Sequence, residues 1–307
     1  MRAIRIPKFG GPEVLHLEQI EPPRPSPGEV LIRVQAAGVN PVDAKIREGK
    51  FPLIGQSQLP LVLGRDVCGA VAAINGSPPG LRVGDAIFAL LDWHLGAYAE
   101  YARVAAALCC VKPKSLDVQH AGAVPLAALT AWQGIFTHGK LKAGQTVLIH
   151  GSSGGVGHFA VQLAKHVGAH VIATASQSNI AFVTALGAHT VFDCLKSDFS
   201  DLGPEVDVVF DLVGGETQQR SWKVLKPGGI LVSTLGKPDE RTANSLGVRS
   251  AGYMTEPNRE QLDQIAALIE TGKVVVSLSR TFDLAEARAA HLYLQNDHPR
   301  GKVVLSV

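Results

Sequence analysis

The sequence predicts an α/β protein with two domains, a partly closed β-barrel and a doubly wound parallel sheet. Three observations support this prediction. Short apolar strands separated by Gly- and Pro-rich turns occupy residues 1 to about 120. A strand, a glycine-rich turn, a helix and a second strand then follow one another over residues 145–174. Beyond residue 174 strands and helices alternate, which is typical of a parallel sheet covered by helices.

In the first domain, alternating apolar residues predict the strands, and Gly and Pro residues predict the turns between them. The expected strands cover residues 4–7, 15–20, 30–36, 62–75, 86–88, 97–104 and 108–111, with a short helix ending near residue 49. The prolines at 22, 23, 25 and 27 indicate a rigid surface turn and not a linker between domains. A last strand, at 302–307, is expected to return to this domain and close its sheet.

In the second domain, the spacing of apolar residues predicts alternating strands and helices. The expected strands are 146–150, 170–174, 207–212 and 230–234, and the expected helices are 121–136, 155–166 and 218–225, the last stopped by Pro227. A helix at 261–270, an extended segment at 274–280 and a helix at 284–294 follow. We therefore assign residues 1–120 and 258–307 to the barrel domain and 121–257 to the parallel-sheet domain.

Composition argues against several classes of function. The 307 residues carry 29 Lys and Arg against 27 Asp and Glu, a net charge of +2 without a basic block, so nucleic acid is not expected as a main partner. No apolar run is long enough to span a bilayer, and the N-terminus alternates like a strand instead of forming a signal peptide, so we expect a cytoplasmic protein. The four cysteines lack C-x-x-C spacing and are expected to be buried, reduced thiols, and the eleven histidines form no metal-binding pattern.

The turn after the strand at 146–150 reads G-S-S-G-G-V-G and gives the clearest functional signal. A phosphate can approach backbone N–H groups at a helix N-terminus only where no Cβ intervenes. Gly154 and Gly155 supply that bare backbone, and Gly157 lets the helix pack closely on the strand. The pattern is G-x-x-G-x-x-G and not the strict dinucleotide form, but its place in the βαβ unit predicts a pyrophosphate site. The expected contacts are Ser152, Ser153, Gly154, Gly155, Val156 and Gly157.

The end of the second strand indicates which dinucleotide binds. An NAD site usually places Asp or Glu about 20 residues after the glycines, to hold the ribose 2′-hydroxyl. Here the stretch from Thr174 through Ser176 to Asn179 contains no carboxylate, and its hydroxyl and amide groups suit a 2′-phosphate. The sequence therefore favours NADP. No Lys or Arg lies between Lys165 and Lys196, so the cation for that phosphate must come from elsewhere in the chain.

Over its whole length the chain resembles the medium-chain dehydrogenase/reductase superfamily, in its zinc-free quinone oxidoreductase branch. Besides the glycine turn, the residues that carry the resemblance are P-G-E-V-L-I-R-V (27–34), G-V-N-P-V-D-A-K (38–45), L-G-R-D-V-C-G (63–69), V-G-D-A-I-F (83–88), G-A-Y-A-E-Y (96–101), P-L-A-A-L-T-A-W (125–132), L-K-P-G-G (225–229) and R-G-K-V-V-L (300–305). The resemblance implies a GroES-like barrel domain closed by the C-terminal segment, a Rossmann domain inserted within it, and a homodimer.

Departures from the zinc-dependent members of this superfamily favour metal-free chemistry. Those members have a Cys near the position of Asn40, a Gly-His-Glu where this chain has Gly64, Arg65 and Asp66, and a further cysteine ligand near residues 126–129. Without zinc, an alcohol lacks the Lewis acid that lowers its pKa. We therefore expect hydride transfer from NADPH to an electrophilic acceptor, either a quinone or the β-carbon of an α,β-unsaturated carbonyl.

The resemblance also implies roles for individual residues. It places Asn40 and Thr130 near the nicotinamide, and the phosphate-binding turn matches Ser176 and Asn179. Cys194 stands where many relatives have a tyrosine beside the adenosine phosphate. The remaining expected cofactor contacts are Thr174, Leu212, Val213, Gly214 and Leu235. Trp93 and Tyr253 are expected pocket walls, with packing in the core as the alternative, and Arg300 and Lys302 are candidate cations for the phosphate or the pocket.

Alternative interpretations also stay open for Asn40, for Asp43 and for the function itself. Asn40 could be a turn residue before Pro41, and Asp43 could either relay a proton or cap the helix that follows Pro41. The alternatives to a quinone or enone reductase are a nucleotide-binding scaffold or structural protein with little turnover, and an enoyl-thioester reductase.

Overall fold

The computed structural model describes all 307 residues, which divide into two compact units. The barrel unit comprises Met1–Leu126, Pro257–Gly272 and Val276–Val307. The parallel-sheet unit comprises Ala127–Glu256 and Lys273–Val275. None of the helices has both the length and the apolar character needed to cross a membrane.

Sixteen strands and nine α-helices make up the chain. The strands are β1 (Arg2–Ile6), β2 (His16–Gln19), β3 (Glu29–Val39), β4 (Leu61–Val62), β5 (Asp66–Ile74), β6 (Ala86–Leu90), β7 (Tyr101–Ala105), β8 (Cys110–Val111), β9 (Thr146–Ile149), β10 (His170–Ala175), β11 (Thr190–Asp193), β12 (Val206–Asp211), β13 (Leu225–Ser233), β14 (Arg249–Gly252), β15 (Leu278–Asp283) and β16 (Lys302–Ser306). The helices are α1 (Pro41–Arg47), α2 (Val118–Gly122), α3 (Pro125–Trp132), α4 (Gly157–His166), α5 (Ile180–Leu186), α6 (Gly215–Ser221), α7 (Glu240–Ser245), α8 (Arg259–Glu270) and α9 (Ala287–Asn296).

The barrel unit is built around the long strand β3. Its sheet runs β15-β16-β3-β5-β6-β8, β7 also pairs with β3, and a separate three-stranded sheet has the order β2-β1-β4. Val30, Ile32 and Val34 alternate along β3 and are buried in the core of the unit, as the period of two of a strand requires. The C-terminal strand β16 pairs antiparallel with β3, opposing Val304 to Gly38. The prediction that the C-terminal segment returns to the first sheet is therefore confirmed, although the sheet stays open between β15 and β8.

The parallel-sheet unit has the strand order β11-β10-β9-β12-β13-β14, and all of its pairs are parallel. This is the doubly wound order, in which the chain turns from one half of the sheet to the other between β9 and β12. Val147, Leu148 and Ile149 of β9 are fully buried, because helices cover both faces of such a sheet. Ligands of these folds bind at the carboxyl ends of the strands beside this switch point, where the glycine turn lies.

Two expected helices are wrong in extent. The segment expected as one helix at 121–136 consists of α2, α3 and a π-helical turn at Gln133–His138, because Pro125 has no N–H to continue α2 and starts a new helix. The helix expected at 218–225 is α6 followed by a 3-10 turn at Trp222–Val224. Leu225 already belongs to β13.

The motif L-K-P-G-G is a bulge within β13 and not a helix stop. Leu225 pairs with Val206 of β12, and the next pair is Ile230 with Val208, so residues 226–229 lie opposite a single residue of β12. Gly228 takes up a φ of 78° there, which explains why glycine is needed. The extended segment expected at 274–280 is β15, displaced towards the C-terminus, and α5, β11, α7 and β14 had not been anticipated.

Candidate functional site

The glycine turn between β9 and α4 has the shape of a cradle that would fit a phosphate. Gly151 has a φ of 65°, and a Cβ on Gly157 would lie 2.2 Å from the Gly151 carbonyl oxygen, so no side chain fits at Gly157. A Cβ on Gly154 would meet nothing nearer than 3.4 Å, so the space beside it is open. The half-exposed backbone amides of Gly155 and Val156 donate to no protein acceptor. Open space and free N–H groups at a helix N-terminus fit a pyrophosphate.

Two hydroxyls expected to face the cofactor are used inside the fold instead. The Ser152 hydroxyl donates to the Thr174 carbonyl oxygen at 2.8 Å, and the Thr174 hydroxyl lies 3.0 Å from Nδ1 of His150. Nε2 of His150 lies 2.9 Å from the Ser221 hydroxyl, which itself donates to the Thr217 carbonyl. Ser152 and Thr174 are both buried, so any contact they make with a cofactor would be through their backbone.

His150 is a neutral linker in this network. Burial lowers its pKa to about 4, so the ring is uncharged at neutral pH. Since the Ser221 hydroxyl donates elsewhere, Nε2 carries the proton and Nδ1 accepts from Thr174. His150 thereby ties the ends of β9 and β10 to α6, directly before the glycine turn. The role of His150 was not predicted, because the histidines form no recognisable pattern in the sequence.

The second turn, after β10, is joined to the glycine turn by side-chain hydrogen bonds. The Asn179 amide donates to the Ser153 hydroxyl at 3.2 Å and to the Ser176 hydroxyl at 3.0 Å. Ser176 also lies 3.2 Å from the hydroxyl of Ser178. Ser153, Ser176 and Asn179 are thus brought together as the sequence led us to expect. Their hydroxyl and amide groups can donate to an anion, and no carboxylate stands among them.

A buried carboxylate fixes the loop after β12. Asp211 accepts hydrogen bonds from the amides of Val213 (3.0 Å) and Gly214 (2.8 Å) through Oδ1, and from Gln218 and Ser233 through Oδ2. This holds Leu212, Val213 and Gly214 beside the glycine turn, since a Cβ on Gly151 would lie 3.4 Å from Val213. Val213 and Leu235 are exposed apolar residues, 52% and 45%, and could cover a nucleotide. The sequence contains a signal for Asp211, because this carboxylate stands at the end of a predicted strand, shortly before two consecutive glycines.

Thr130 and Tyr253 contact each other within the parallel-sheet unit. The Tyr253 hydroxyl donates to the Thr130 carbonyl oxygen, and the hydroxyls of Thr130 and Thr255 lie 2.7 Å apart. Tyr253 also stacks on His138, with ring centroids 4.5 Å apart. Burial raises the pKa of Tyr253, so its phenol stays protonated. The Tyr253 side chain is therefore fixed in place, and its role as a pocket wall stays a prediction.

In the barrel unit, Asn40 lies in a buried ionic cluster. Its side-chain amide donates to Oδ2 of Asp66 at 2.9 Å and more weakly to the Gly38 carbonyl at 3.4 Å. Its carbonyl oxygen accepts from the Lys302 ammonium, which also pairs with Asp66 at 3.2 Å. Asp66 and Lys302 are 0% and 3% exposed. Lys302 is thus fully engaged inside the barrel unit, and the sequence-based idea that it serves a phosphate is not supported.

Asp43 caps helix α1. One of its oxygens accepts from the Asn40 backbone N–H at 2.8 Å and from the Tyr98 hydroxyl at 2.9 Å. The capping interpretation is therefore confirmed. Burial raises the pKa of Asp43 to about 6, despite these hydrogen bonds, and its second oxygen has no partner. A carboxyl with this pKa could exchange a proton near neutral pH, so its role as a relay stays a prediction.

Arg65 is buried with two donors unused. Its Nε donates to the Leu91 carbonyl at 3.0 Å, and its guanidinium lies over the Trp93 ring, 3.4 Å from the centroid. The two terminal nitrogens have no hydrogen-bond partner, although the residue is only 2% exposed. Burial lowers its pKa to about 10, which leaves it a cation at neutral pH. Trp93 is held between Arg65 and Phe51, whose ring centroid is 4.4 Å away.

The residues at the expected zinc-ligand positions do not fit a zinc ion. Asn40 accepts from an ammonium, Arg65 is a cation, and Asp66 is already paired with Lys302. Nor do three or more His, Cys, Asp or Glu side chains come together elsewhere in the chain to hold a metal. These residues therefore support no reaction step that uses zinc.

Fold and site together define a dinucleotide-binding oxidoreductase with a barrel unit of the GroES-like type. The family models for the alcohol dehydrogenase GroES-like domain and the zinc-binding dehydrogenase match residues 26–114 and 186–305. The chain is 36% identical to the chloroplastic NADPH-dependent alkenal/one oxidoreductase of Arabidopsis thaliana, over 99% of this chain and 79% of the relative. The chain belongs to the medium-chain dehydrogenase/reductase superfamily, in its quinone oxidoreductase branch.

Solved structures agree with this assignment. The quinone oxidoreductase of Coxiella burnetii is 35% identical, with a TM-score of 0.91 over 100% of this chain and 99% of that one. The quinone oxidoreductase of Escherichia coli, solved with NADPH, is 27% identical, with a TM-score of 0.91 over 100% of both chains. The fold class and the superfamily predicted from the sequence are confirmed.

Proposed function

We propose that this protein is an NADPH-dependent reductase of quinones and α,β-unsaturated carbonyl compounds that works without a metal. The observation that carries the proposal is the phosphate cradle, with open space at Gly154 and free amides at Gly155 and Val156. The relatives named for alkenal/one and quinone reduction and the quinone oxidoreductase solved with NADPH support the cofactor and the class of acceptor.

The residues of the parallel-sheet unit would bind and orient the cofactor. The cradle would hold the pyrophosphate, the turn from Ser176 to Asn179 would hold the adenosine ribose phosphate, and the loop fixed by Asp211 would hold the nicotinamide ribose. Bound in this way, NADPH supplies a hydride. The network of His150, Thr174 and Ser152 keeps the two turns in register, so that the cofactor is held in one orientation.

The acceptor's oxygen needs a hydrogen-bond donor, because charge develops on it as the hydride reaches the β-carbon. Asn40, which is expected near the nicotinamide, could be this donor, but its amide already donates to Asp66 and Gly38. Arg65 has two unpartnered terminal nitrogens and a positive charge in a buried setting. We assign the role to Arg65, with Trp93 fixing the plane of its guanidinium.

Steady-state NADPH consumption with a panel of small quinones, enals and enones tests the proposal. We expect turnover with several of them, and Arg65→Gln should lower kcat about 100-fold while NADPH affinity stays unchanged. The matched control is Arg103→Gln, which removes a partly exposed arginine from the same unit. Absence of turnover together with tight NADPH binding would favour the nucleotide-binding scaffold. A strong preference for a thioester over the free enone would favour an enoyl-thioester reductase.

We further propose that the protein is a cytoplasmic homodimer. The dimer rests on the resemblance to the quinone oxidoreductase branch. All four cysteines are unpaired, which suits a reducing compartment, although Cys194 is exposed and the expectation that all four are buried is wrong for it. Light scattering on the purified protein should give twice the mass of the 32.4 kDa chain. A mass of one chain at micromolar concentration contradicts the dimer.

A further inference from the structure

The turn that would take the 2′-phosphate of NADPH has no cation in its own sequence. Lys and Arg are absent from residues 166–195, and Lys302, one of the candidates, is paired with Asp66 inside the barrel unit. A phosphate monoester carries close to two negative charges at neutral pH, so hydroxyl and amide donors alone leave its charge uncompensated. The cation for this phosphate must therefore come from elsewhere in the chain, brought to the turn by folding.

Strand pairing brings one lysine to this turn. β10 and β11 are parallel neighbours with Ala175 opposite Asp193, so the residues that follow the two strands emerge side by side. The amide of Cys194 donates to the Ala175 carbonyl at 2.9 Å, which extends the pairing beyond the strand. Lys196 consequently comes over the turn, and its ammonium lies 3.4 Å from the side-chain oxygen of Gln177.

The charge of Lys196 is available. Its ammonium makes no salt bridge, and its partner Gln177 is a neutral amide at long range. The adjacent carboxylate, Asp193, is 5% exposed and accepts from the Leu195 amide at 3.0 Å. The amides of Lys196 and Ser197 donate to the Asp193 backbone carbonyl, so the segment carrying the lysine is an ordered turn. Lys196 is therefore an exposed cation whose backbone is held in an ordered turn, beside the hydroxyl and amide donors of Ser176, Ser178 and Asn179.

We propose that Lys196 is the residue that binds the 2′-phosphate and gives the protein its preference for NADPH over NADH. The inference rests on the cofactor part of the proposed function. The phosphate would lie between the Lys196 ammonium and the hydroxyls of Ser176 and Ser178. These two hydroxyl oxygens are 3.2 Å apart. A lysine contributes to such a site as a point charge, and its flexible stem can leave Gln177 to reach the phosphate.

This proposal is tested by measuring cofactor binding instead of turnover. The outcome therefore does not depend on finding an acceptor. NADPH and NADH are titrated by cofactor fluorescence into the wild type, Lys196→Gln and Lys196→Glu. We expect Lys196→Gln to weaken NADPH roughly tenfold and Lys196→Glu to weaken it further, with NADH affinity unchanged by the neutral substitution. Raising the salt concentration should shrink the difference between wild type and Lys196→Gln for NADPH alone.

The matched control is Lys142→Gln. Lys142 is an exposed lysine of the same unit, placed before β9 and hence at the amino edge of the sheet, opposite the turn. Competition by adenosine 2′,5′-bisphosphate and by adenosine 5′-monophosphate, measured on each variant, isolates the 2′-phosphate. The proposal is overturned if Lys196→Gln weakens NADPH no more than Lys142→Gln does, or weakens NADPH and NADH equally. A wild type that binds both cofactors equally overturns the NADP preference itself, and failure of every acceptor to turn over contradicts only the proposed reaction.

Discussion

Removing the charge of Lys302 should destabilise the protein strongly, because its partner Asp66 would then be buried alone. Lys302 is 3% exposed and Asp66 0%, and the two charged atoms lie 3.2 Å apart. At an effective dielectric constant of about 20, two unit charges at this distance attract by about 5 kcal/mol. Lys302 also donates to the side-chain oxygen of Asn40, which would lose its partner. We expect Lys302→Met to lower the free energy of unfolding by about 3–5 kcal/mol.

Urea unfolding of Lys302→Met, Asp66→Asn and the double variant at pH 7.5 measures this. The double variant should recover most of the loss, because no unpaired charge remains buried. The control is Lys226→Met, which breaks the more exposed pair of Lys226 and Asp207 and should cost less than about 1 kcal/mol. A Lys302→Met variant no less stable than Lys226→Met, or one that Asp66→Asn does not rescue, would refute the reasoning.

Three further substitutions follow from the site. The pKa of Asp43 is raised from 3.8 to about 6, so the unfolded chain ionises first, and the fold loses stability as pH rises from 3.8 to about 6 and stays less stable above that. Asp43→Asn should therefore raise the free energy of unfolding by up to about 3 kcal/mol at pH 8 and have no effect near pH 3, as urea unfolding at both pH values would show. Gly157→Ala places a Cβ 2.2 Å from the Gly151 carbonyl, and should abolish NADPH binding in a fluorescence titration, whereas unchanged affinity would move the pyrophosphate elsewhere. Ser176→Asp should weaken NADPH through charge repulsion and shift kcat/KM towards NADH, and a wild type that already favours NADH would contradict the account.

Local patterns were sufficient for the parts of the fold that depend on near neighbours in sequence. The βαβ unit around the glycine turn could be predicted because its strand, turn and helix follow one another within 30 residues. Gly157 could be assigned to close packing for the same reason. The start of β13 could not be predicted, because Pro227 and the two glycines after it are typical of the end of a helix. Only the pairing with β12 shows that these residues form a bulge in a continuing strand.

In the candidate site, too, contacts between residues near in sequence could be predicted and contacts between distant residues could not. That Ser176 and Asn179 lie close together could be predicted because they belong to one turn, but the direction of the Ser152 and Thr174 hydroxyls depends on His150. The partners of Asn40 lie 26 and 262 residues away in sequence, at Asp66 and Lys302. Such contacts leave no periodic signal.

The reaction is tested most directly by following the hydride. NADPH carrying deuterium at the transferring position of C4 is incubated with an α,β-unsaturated ketone, and the product is examined by NMR and mass spectrometry. The account predicts one deuterium on the β-carbon, one solvent proton on the α-carbon, an intact carbonyl, and a rate unchanged by a zinc chelator. Deuterium on the carbonyl carbon of an alcohol product, formed at a rate that the chelator abolishes, would contradict it.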